Sequence, residues 1–337
     1  MQALILAGGE GTRLRPLTYT VPKPVLPLAN RPFASYMLDW LAEHGFDDVV
    51  MSCGFLADEV RSVLGEVAHA DGLSLRYVEE PEPLGTAGAV KYCEDVLEER
   101  FAVLNGDVLT DIDVGALWRG HEERGARASL ALVAVDDPSA YGLVEMDGDG
   151  AVREFREKPE PGTVDRGLIN AGAYVLEREV LDVVATDRPV SFEREVFPAL
   201  VGNGLYAAEL EGYWLDIGTP ERYLQGTRDI LTGTVHTAVG PLDPPVLVAD
   251  GAGVADGADL GHCTVVGAQC SIPSDAVLDG AVLLAGVNVG REAVIKDSIV
   301  GAGARIGAGA RVEGLSIVGE GASVGEGQKV NGERVEG

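Results

Sequence analysis

From Val248 onward an aliphatic residue returns at every sixth position: Val248, Val254, Leu260, Val266, Ile272, Leu278 and Leu284. Two five-residue steps shift the phase, and Val300, Ile306, Val312, Val318, Val324 and Val330 resume the interval of six. Glycine and other small residues follow the aliphatics, as in "VGAGARI" and "VGEGASV". That pattern suits a triangular coil. Each side is a short strand, the aliphatic points inward, and small residues allow tight corners. A disordered glycine-rich tail has no reason to keep an aliphatic phase.

The chain ahead of the coil has a different grammar. "QALILA", "DDVVMSCG", "LSLRYVEE" and "RFAVLNGD" read as strands. "RPFASYMLDWLAEHG", "LADEVRSVLG" and "AGAVKYCEDVLEE" read as helices between them. Alternation of this kind predicts an α/β domain with a mainly parallel, Rossmann-like sheet and helices on both faces. Further strands are expected at "RASLALVAV", "YGLVEM", "AVREFRE" and "INAGAYVLE", and one helix over "SFEREVFPALVG". At 337 residues the chain is too long for one ordinary core. The expected division is a first domain over 1–233, a linker over 234–246, and the repeat domain over 247–337.

The net charge of −28 argues against a nucleic-acid partner, because a phosphate backbone needs a basic face. No apolar run approaches a membrane span and no signal peptide is legible at the start, so no membrane partner and a cytoplasmic location are expected. Cys53, Cys93, Cys263 and Cys270 fall in no metal-ligand spacing and read as reduced, buried thiols. The few lysines stand out in so acidic a chain. Lys23 in "VPKPVLP" and Lys158 in "REKP" both sit beside prolines.

The segment richest in chemistry is "LILAGGEGTRLRP". A strand that ends in glycines at the carboxyl edge of a parallel sheet marks where open α/β sheets bind ligands. Glycines let a ligand approach the backbone, and their N–H groups can face phosphate oxygens. Arg13 adds a fork of donors matched to phosphate. The spacing is neither that of a P-loop nor that of a dinucleotide fingerprint. Lys23, ten residues after Arg13, can reach back over the same corner and complete a two-cation clamp. In "VLNGDV" and "YWLDIGTP", Asp107 and Asp216 emerge from apolar strands. A carboxylate there is costly unless paired or metal-bound. Two such groups near triphosphate oxygens suit Mg²⁺, a hard ion content with few carboxylates plus phosphates.

The segments "LILAGGEGTRLRPLT", "PKPVLPL", "PLGTAGAV", "LNGDV", "EKP", "NAGAYVL" and "DIGTP", in this order, resemble the sugar-1-phosphate nucleotidylyltransferases. With the repeat the resemblance covers nearly the whole chain, and the repeat itself is similar to the hexapeptide left-handed parallel β-helix. The resemblance implies roles. Leu6, Ala7, Gly8 and Gly9 would hold base and ribose; Gly11, Thr12, Arg13 and Lys23 the triphosphate. Gly85, Thr86 and Gly106 would line the base pocket, and Asp107 and Asp216 would bind Mg²⁺. Gly142, Glu157 and Asn170 would take sugar hydroxyls, and Lys158 the sugar phosphate. Arg13, Lys23 and Asp107 would carry the catalytic charge stabilisation. The substrates implied are a nucleoside triphosphate and a sugar 1-phosphate, and "VPKPVLPLANRP", "SFEREVFPALV" and "GYWLDIGTPERYL" look most like the members that join GTP to mannose 1-phosphate. Thymidylyl or other transfer to glucose 1-phosphate is the alternative. A silent regulatory subunit that senses nucleotide sugar is the alternative of another class, as is an acyltransferase using His262 of the coil. A homo-oligomer is expected, with the coil contributing contacts.

Overall fold

The computed structural model describes residues 1–54, 56–70, 72–160, 162 and 165–337. By compactness the chain divides discontinuously. One unit comprises residues 1–9 and 37–214, the other residues 10–36 and 215–337. None of these three boundaries coincides with the change of composition near Gly233.

The first unit is built on one sheet. Its strands are β1 (Gln2–Ala7), β2 (Asp48–Cys53), β3 (Ser74–Glu79), β4 (Arg100–Asn105), β5 (Ala128–Val135), β6 (Gly142–Met146), β7 (Val152–Glu157), β8 (Gly167–Glu177) and β9 (Leu205–Glu209). Strands β4, β1, β2 and β3 pair in parallel in that spatial order. The helices of this region are α1 (Phe33–Glu43), α2 (Ala57–Ala70), α3 (Gly85–Tyr92) and α4 (Val114–Arg124). Parallel neighbours need such crossovers, so the αβ alternation in the sequence translates directly into this ladder. The other half of the sheet is antiparallel. Strand β8 runs against β4, β5 and β6, and β7 runs against β6; β9 returns parallel to β5. Strand β8 can serve three neighbours because it is long and breaks register between Asn170 and Tyr174. Leu4, Val50, Phe101, Val103, Leu130, Tyr174, Phe192 and Phe197 belong to its buried core. The helix expected over "SFEREVFPALVG" is instead a π-helical turn, Phe192–Val196, followed by a short α-turn, Phe197–Leu200.

The second unit contains α5 (Pro220–Thr232) and the repeat. Thr219 caps α5 and Gly233 closes it in a left-handed conformation. The repeat forms three stacks of short parallel strands, the geometry of the expected left-handed β-helix. One stack begins at Val246–Val248 and ends at Arg334–Val335. Val266, Ile272, Leu278, Val289, Val300, Ile306, Val312, Val318, Val324 and Val330 lie in its buried column, as the sixfold phase requires. Two details differ. Leu283 joins that column in place of Leu284, and Ile295 joins it between Val289 and Val300, so the five-residue steps fall at Leu278–Leu283 and Ile295–Val300. Val248 is exposed, because no earlier coil stacks upon it.

All four cysteines are free and buried. Burial pushes the Cys53 thiol up to about 12 and the Cys93 thiol up to about 11, so both are inert at neutral pH. The His262 Nδ1 lies 3.0 Å from the neighbouring Cys263 sulfur. Among the described residues no helix is long and apolar enough to cross a membrane.

Candidate functional site

In the first unit the carboxyl ends of β1 and β4 lie side by side. Leu6 on β1 stands opposite Asn105 on β4. One residue further, the Gly106 amide donates to the Leu6 carbonyl at 2.8 Å. A Cβ on Gly106 would lie 2.5 Å from that oxygen, so only glycine lets the two backbones meet. Asp107 therefore leaves the sheet directly beside the strand that feeds Gly8 and Gly9. A Cβ on Gly8 would lie 2.9 Å from Oε1 of Glu80, a carboxylate that also accepts from the Ser52 hydroxyl at 2.7 Å. Glu80 was not singled out from the sequence. It stands one residue past β3, in a stretch whose charge reads as a solvated strand end.

A second group of expected residues gathers around Glu193, in the π-helical turn. Thr86, at the start of α3, donates to Glu193 Oε2 at 2.8 Å and accepts from the Phe192 amide at 2.9 Å. The Ser191 hydroxyl donates to the same oxygen at 2.5 Å. The Tyr174 hydroxyl donates to Glu193 Oε1 at 3.1 Å, and Asn170 Nδ2 donates to the Tyr174 oxygen at 3.0 Å. Thr86 and Asn170, far apart in sequence, are thus joined through one carboxylate. Gly85 adopts a left-handed φ of +76°, and a Cβ there would strike the Val190 carbonyl at 2.6 Å, which ties the α3 turn to the segment carrying Glu193.

Glu157 belongs to this neighbourhood. Burial raises its carboxyl above the ordinary 4.5, and the negative charge of Glu193 adds to the rise; Lys158 and Arg194 oppose it. Its Oε2 would lie 3.1 Å from a Cβ on Gly142, so Gly142 leaves the carboxylate accessible. Lys158 is exposed, in a left-handed backbone conformation, and its amide donates to the Tyr141 carbonyl at 2.9 Å. Glu193 was missed because the sequence reads as an ordinary amphipathic helix there. The signal that could have found it is an acid set directly after Phe192, in a segment bounded by Phe192 and Phe197.

The second unit brings together five further expected residues, Gly11, Thr12, Arg13, Lys23 and Asp216. Gly11 is left-handed at φ 62°, and its carbonyl accepts from the Thr18 hydroxyl at 2.8 Å. A Cβ on Gly11 would lie 3.3 Å from Cβ of Lys23. Lys23 does return to the glycine corner, and it is only 9% exposed. Thr12 and Arg13 sit in the short turn Thr12–Leu14 that follows Gly11, and both are exposed. The Arg13 guanidinium lies against Gly218 beside Asp216. A Cβ on Gly218 would overlap Arg13 Nη2 and come within 2.8 Å of Asp216 Oδ1. Arg222 Nη1 approaches Asp216 Oδ2 at 3.9 Å. A guanidinium, an ammonium on a glycine corner and a half-buried carboxylate suit a polyphosphate with its counter-ion. Among the described residues no group of three or more His, Cys, Asp and Glu side chains forms a metal cage.

Comparison with known proteins gives a consistent result. A family model described as nucleotidyl transferase matches residues 2–233, and one described as the GMPPB C-terminal domain matches residues 242–336. The chain is 40% identical over 301 residues to a mannose-1-phosphate guanylyltransferase of Mycobacterium tuberculosis, covering 88% of this chain and 83% of that protein. It is 37% identical over 329 residues to a mannose-1-phosphate guanyltransferase of Candida albicans, covering 94% and 90%. Among solved structures, HddC from Yersinia pseudotuberculosis superimposes with a TM-score of 0.59 at 29% identity, over 67% of this chain and 97% of that one. The same protein complexed with GMP-PN gives a TM-score of 0.56.

Proposed function

The chain belongs to the nucleotidyl transferase family, and from that premise we propose that it joins GTP to mannose 1-phosphate, forming GDP-mannose and releasing pyrophosphate. The observation that carries the choice of base and sugar is the shared name of relatives that are 40% and 37% identical over most of the chain. The site residues fit the chemistry. A sugar-phosphate oxygen attacks the α-phosphorus and pyrophosphate leaves. The nucleophile is already anionic, so no strong base is required, and the obstacle is bringing two anions together. We assign Arg13 and Lys23, on the Gly11–Thr12 corner, to the triphosphate. Leu6, Ala7, Gly8 and Gly9, with Gly85, Thr86 and Gly106, take the base and ribose. Gly142, Glu157 and Asn170 take sugar hydroxyls, and Lys158 the sugar phosphate.

The family chemistry calls for a divalent cation, and we assign Mg²⁺ to Asp107 and Asp216. Single carboxylates rather than a cage fit an ion that completes its shell with substrate phosphates. When bound, the ion would neutralise developing charge on the phosphates. Arg13 and Lys23 contribute the same stabilisation from the protein side. We further propose a cytoplasmic homo-oligomer, with the coil supplying contacts and with no nucleic-acid or membrane partner; the support is the −28 charge and the exposed Val248 at the first strand of the coil.

The test is pyrophosphate release from the purified full-length protein across GTP, dTTP, UTP and ATP, each with mannose 1-phosphate or glucose 1-phosphate. Release should be fastest with GTP and mannose 1-phosphate and should require added Mg²⁺. Preference for dTTP with glucose 1-phosphate would overturn the substrate assignment. No release with any pair would favour a silent sensor of nucleotide sugar.

A further inference from the structure

We infer that Arg334, on the Arg334–Val335 strand of the coil, is a positioning residue for the loop that carries Arg13. The inference rests on the assignment of Arg13 to the triphosphate, and it gives the repeat a part in the reaction beyond assembly. Arg334 Nη2 donates to the Arg13 carbonyl at 2.8 Å. It also lines, with Arg13, Thr219, Pro220 and Glu221, a cavity of about 380 Å³. The Glu221 carboxyl is held below the usual range by its own backbone amide and the Thr219 side chain, with the Arg334 cation adding to the effect. One guanidinium thus holds the loop of Arg13 by a hydrogen bond and shares a cavity and an electrostatic interaction with the turn that follows Asp216.

The loop has reason to need such a hold. Thr12–Leu14 is a single short turn, and a turn of three residues has little stability of its own. Its internal hydrogen bonds use the carbonyls of Gly11 and Thr12, which accept from the Leu14 and Arg15 amides. The Arg13 carbonyl is met from the coil. Neighbouring contacts repeat the pattern. The Thr20 hydroxyl donates to Glu320, the Tyr19 hydroxyl reaches Glu336 at 3.4 Å, and a Cβ on Gly319 would lie 3.1 Å from the Pro16 ring. Residues 13–20 are therefore moored to the coil at several points. Arg334 is the mooring, among the described residues, that acts on the backbone of Arg13 itself.

The experiment compares wild type, Arg334→Ala and Arg334→Lys as full-length proteins. KM for GTP, KM for mannose 1-phosphate, kcat, Tm and the direct affinity for GTP by calorimetry are measured. Loss of one hydrogen bond at a half-open site should weaken GTP binding and raise its KM by about threefold to tenfold. KM for mannose 1-phosphate and Tm should stay within error, because the side chain lies at the surface. Arg334→Lys, which keeps a donor, should recover most of the loss. Equal GTP affinity in wild type and Arg334→Ala would overturn the inference. So would a joint shift of both KM values with Tm, which would mark Arg334 as packing alone. A wild type that binds GTP without turning it over would refute the proposed reaction while leaving the Arg334 comparison decisive through the binding data.

Discussion

Replacing Glu193 with alanine should do two separable things, and the structure sets the size of the first. Three hydroxyls donate to this carboxylate, from Thr86, Ser191 and Tyr174. The first two are half-buried, so water can take the place of Glu193 at little net loss, under about 1 kcal/mol each. Tyr174 is fully buried, its ring packed against Phe197 at a centroid distance of 4.9 Å and Phe192 at 6.0 Å. Its hydroxyl would lose its acceptor with no water at hand, which costs about 1–3 kcal/mol. The sum is about 3 kcal/mol, or a fall in Tm of about 6–12 °C for a unit of this size. Tyr174→Phe removes the orphaned donor. In that background Glu193→Ala should be milder by about 1–2 kcal/mol, read from chemical unfolding of the four proteins in a double-mutant cycle. The second effect is on binding, since Thr86 and Asn170 lose their common anchor and KM for sugar phosphate should rise. A coupling energy of zero between the two positions would refute the reasoning, whatever the single variants did.

The remaining predictions concern charge. Asp216→Asn should keep the fold and lower kcat by at least roughly two orders of magnitude, the scale of losing one charge-stabilising element; a variant fully active at low Mg²⁺ would remove Asp216 from the metal. Lys23→Gln should reduce kcat/KM for GTP by about a few kcal/mol of transition-state stabilisation. If Tm alone changed, Lys23 would be a structural cation. The raised carboxyl of Glu157 takes up its proton at a higher pH than an ordinary glutamate at 4.5. As pH falls, KM for mannose 1-phosphate should therefore begin to rise above pH 4.5, and Glu193→Gln should move that limb toward lower pH by removing a like charge. The stability effect has the opposite sign: the folded state binds this proton more tightly, so this group favours folding increasingly as pH drops through the raised value. A limb unmoved in Glu193→Gln would show that Glu193 does not act on Glu157.

What the sequence revealed, and what it hid, follows from the range of the interactions. The parallel ladder was legible because each strand and crossover helix carries its own period. The coil was legible because its core repeats at a fixed interval, although the interval alone could not place the two shortened steps, and Leu283 took the inward position expected of Leu284. The glycine corner was legible because glycines, cations and a strand end fall within a dozen residues. The antiparallel entry of β8 was not, since pairing with β4, β5 and β6 is decided by residues distant along the chain. Glu193 was hidden for the same reason. Its partners Thr86 and Tyr174 lie in other elements, and its own turn is π-helical where local pattern reads α.

The discontinuous division of the chain has a related cause. Residues 10–32 form an excursion between β1 and α1 that contains only short turns and a two-stranded ribbon, Pro27–Leu28 with Arg31–Pro32. A long connection with so little regular structure has backbone groups that must be satisfied from elsewhere. The partners come from the same compact unit. The Tyr223 hydroxyl of α5 donates to the Pro27 carbonyl, Asn30 Nδ2 donates to the Val266 carbonyl of the coil at 3.0 Å, and Arg334 meets the Arg13 carbonyl. An excursion free to carry glycines and cations for a ligand cannot also carry its own stabilising period. The sequence marks it by chemistry and says nothing of what holds it. Packing then assigns it to the coil, although its motifs are those of the nucleotidyl transferase. That assignment is why a substitution at the far end of the chain, at Arg334, is expected to be felt in the affinity for GTP.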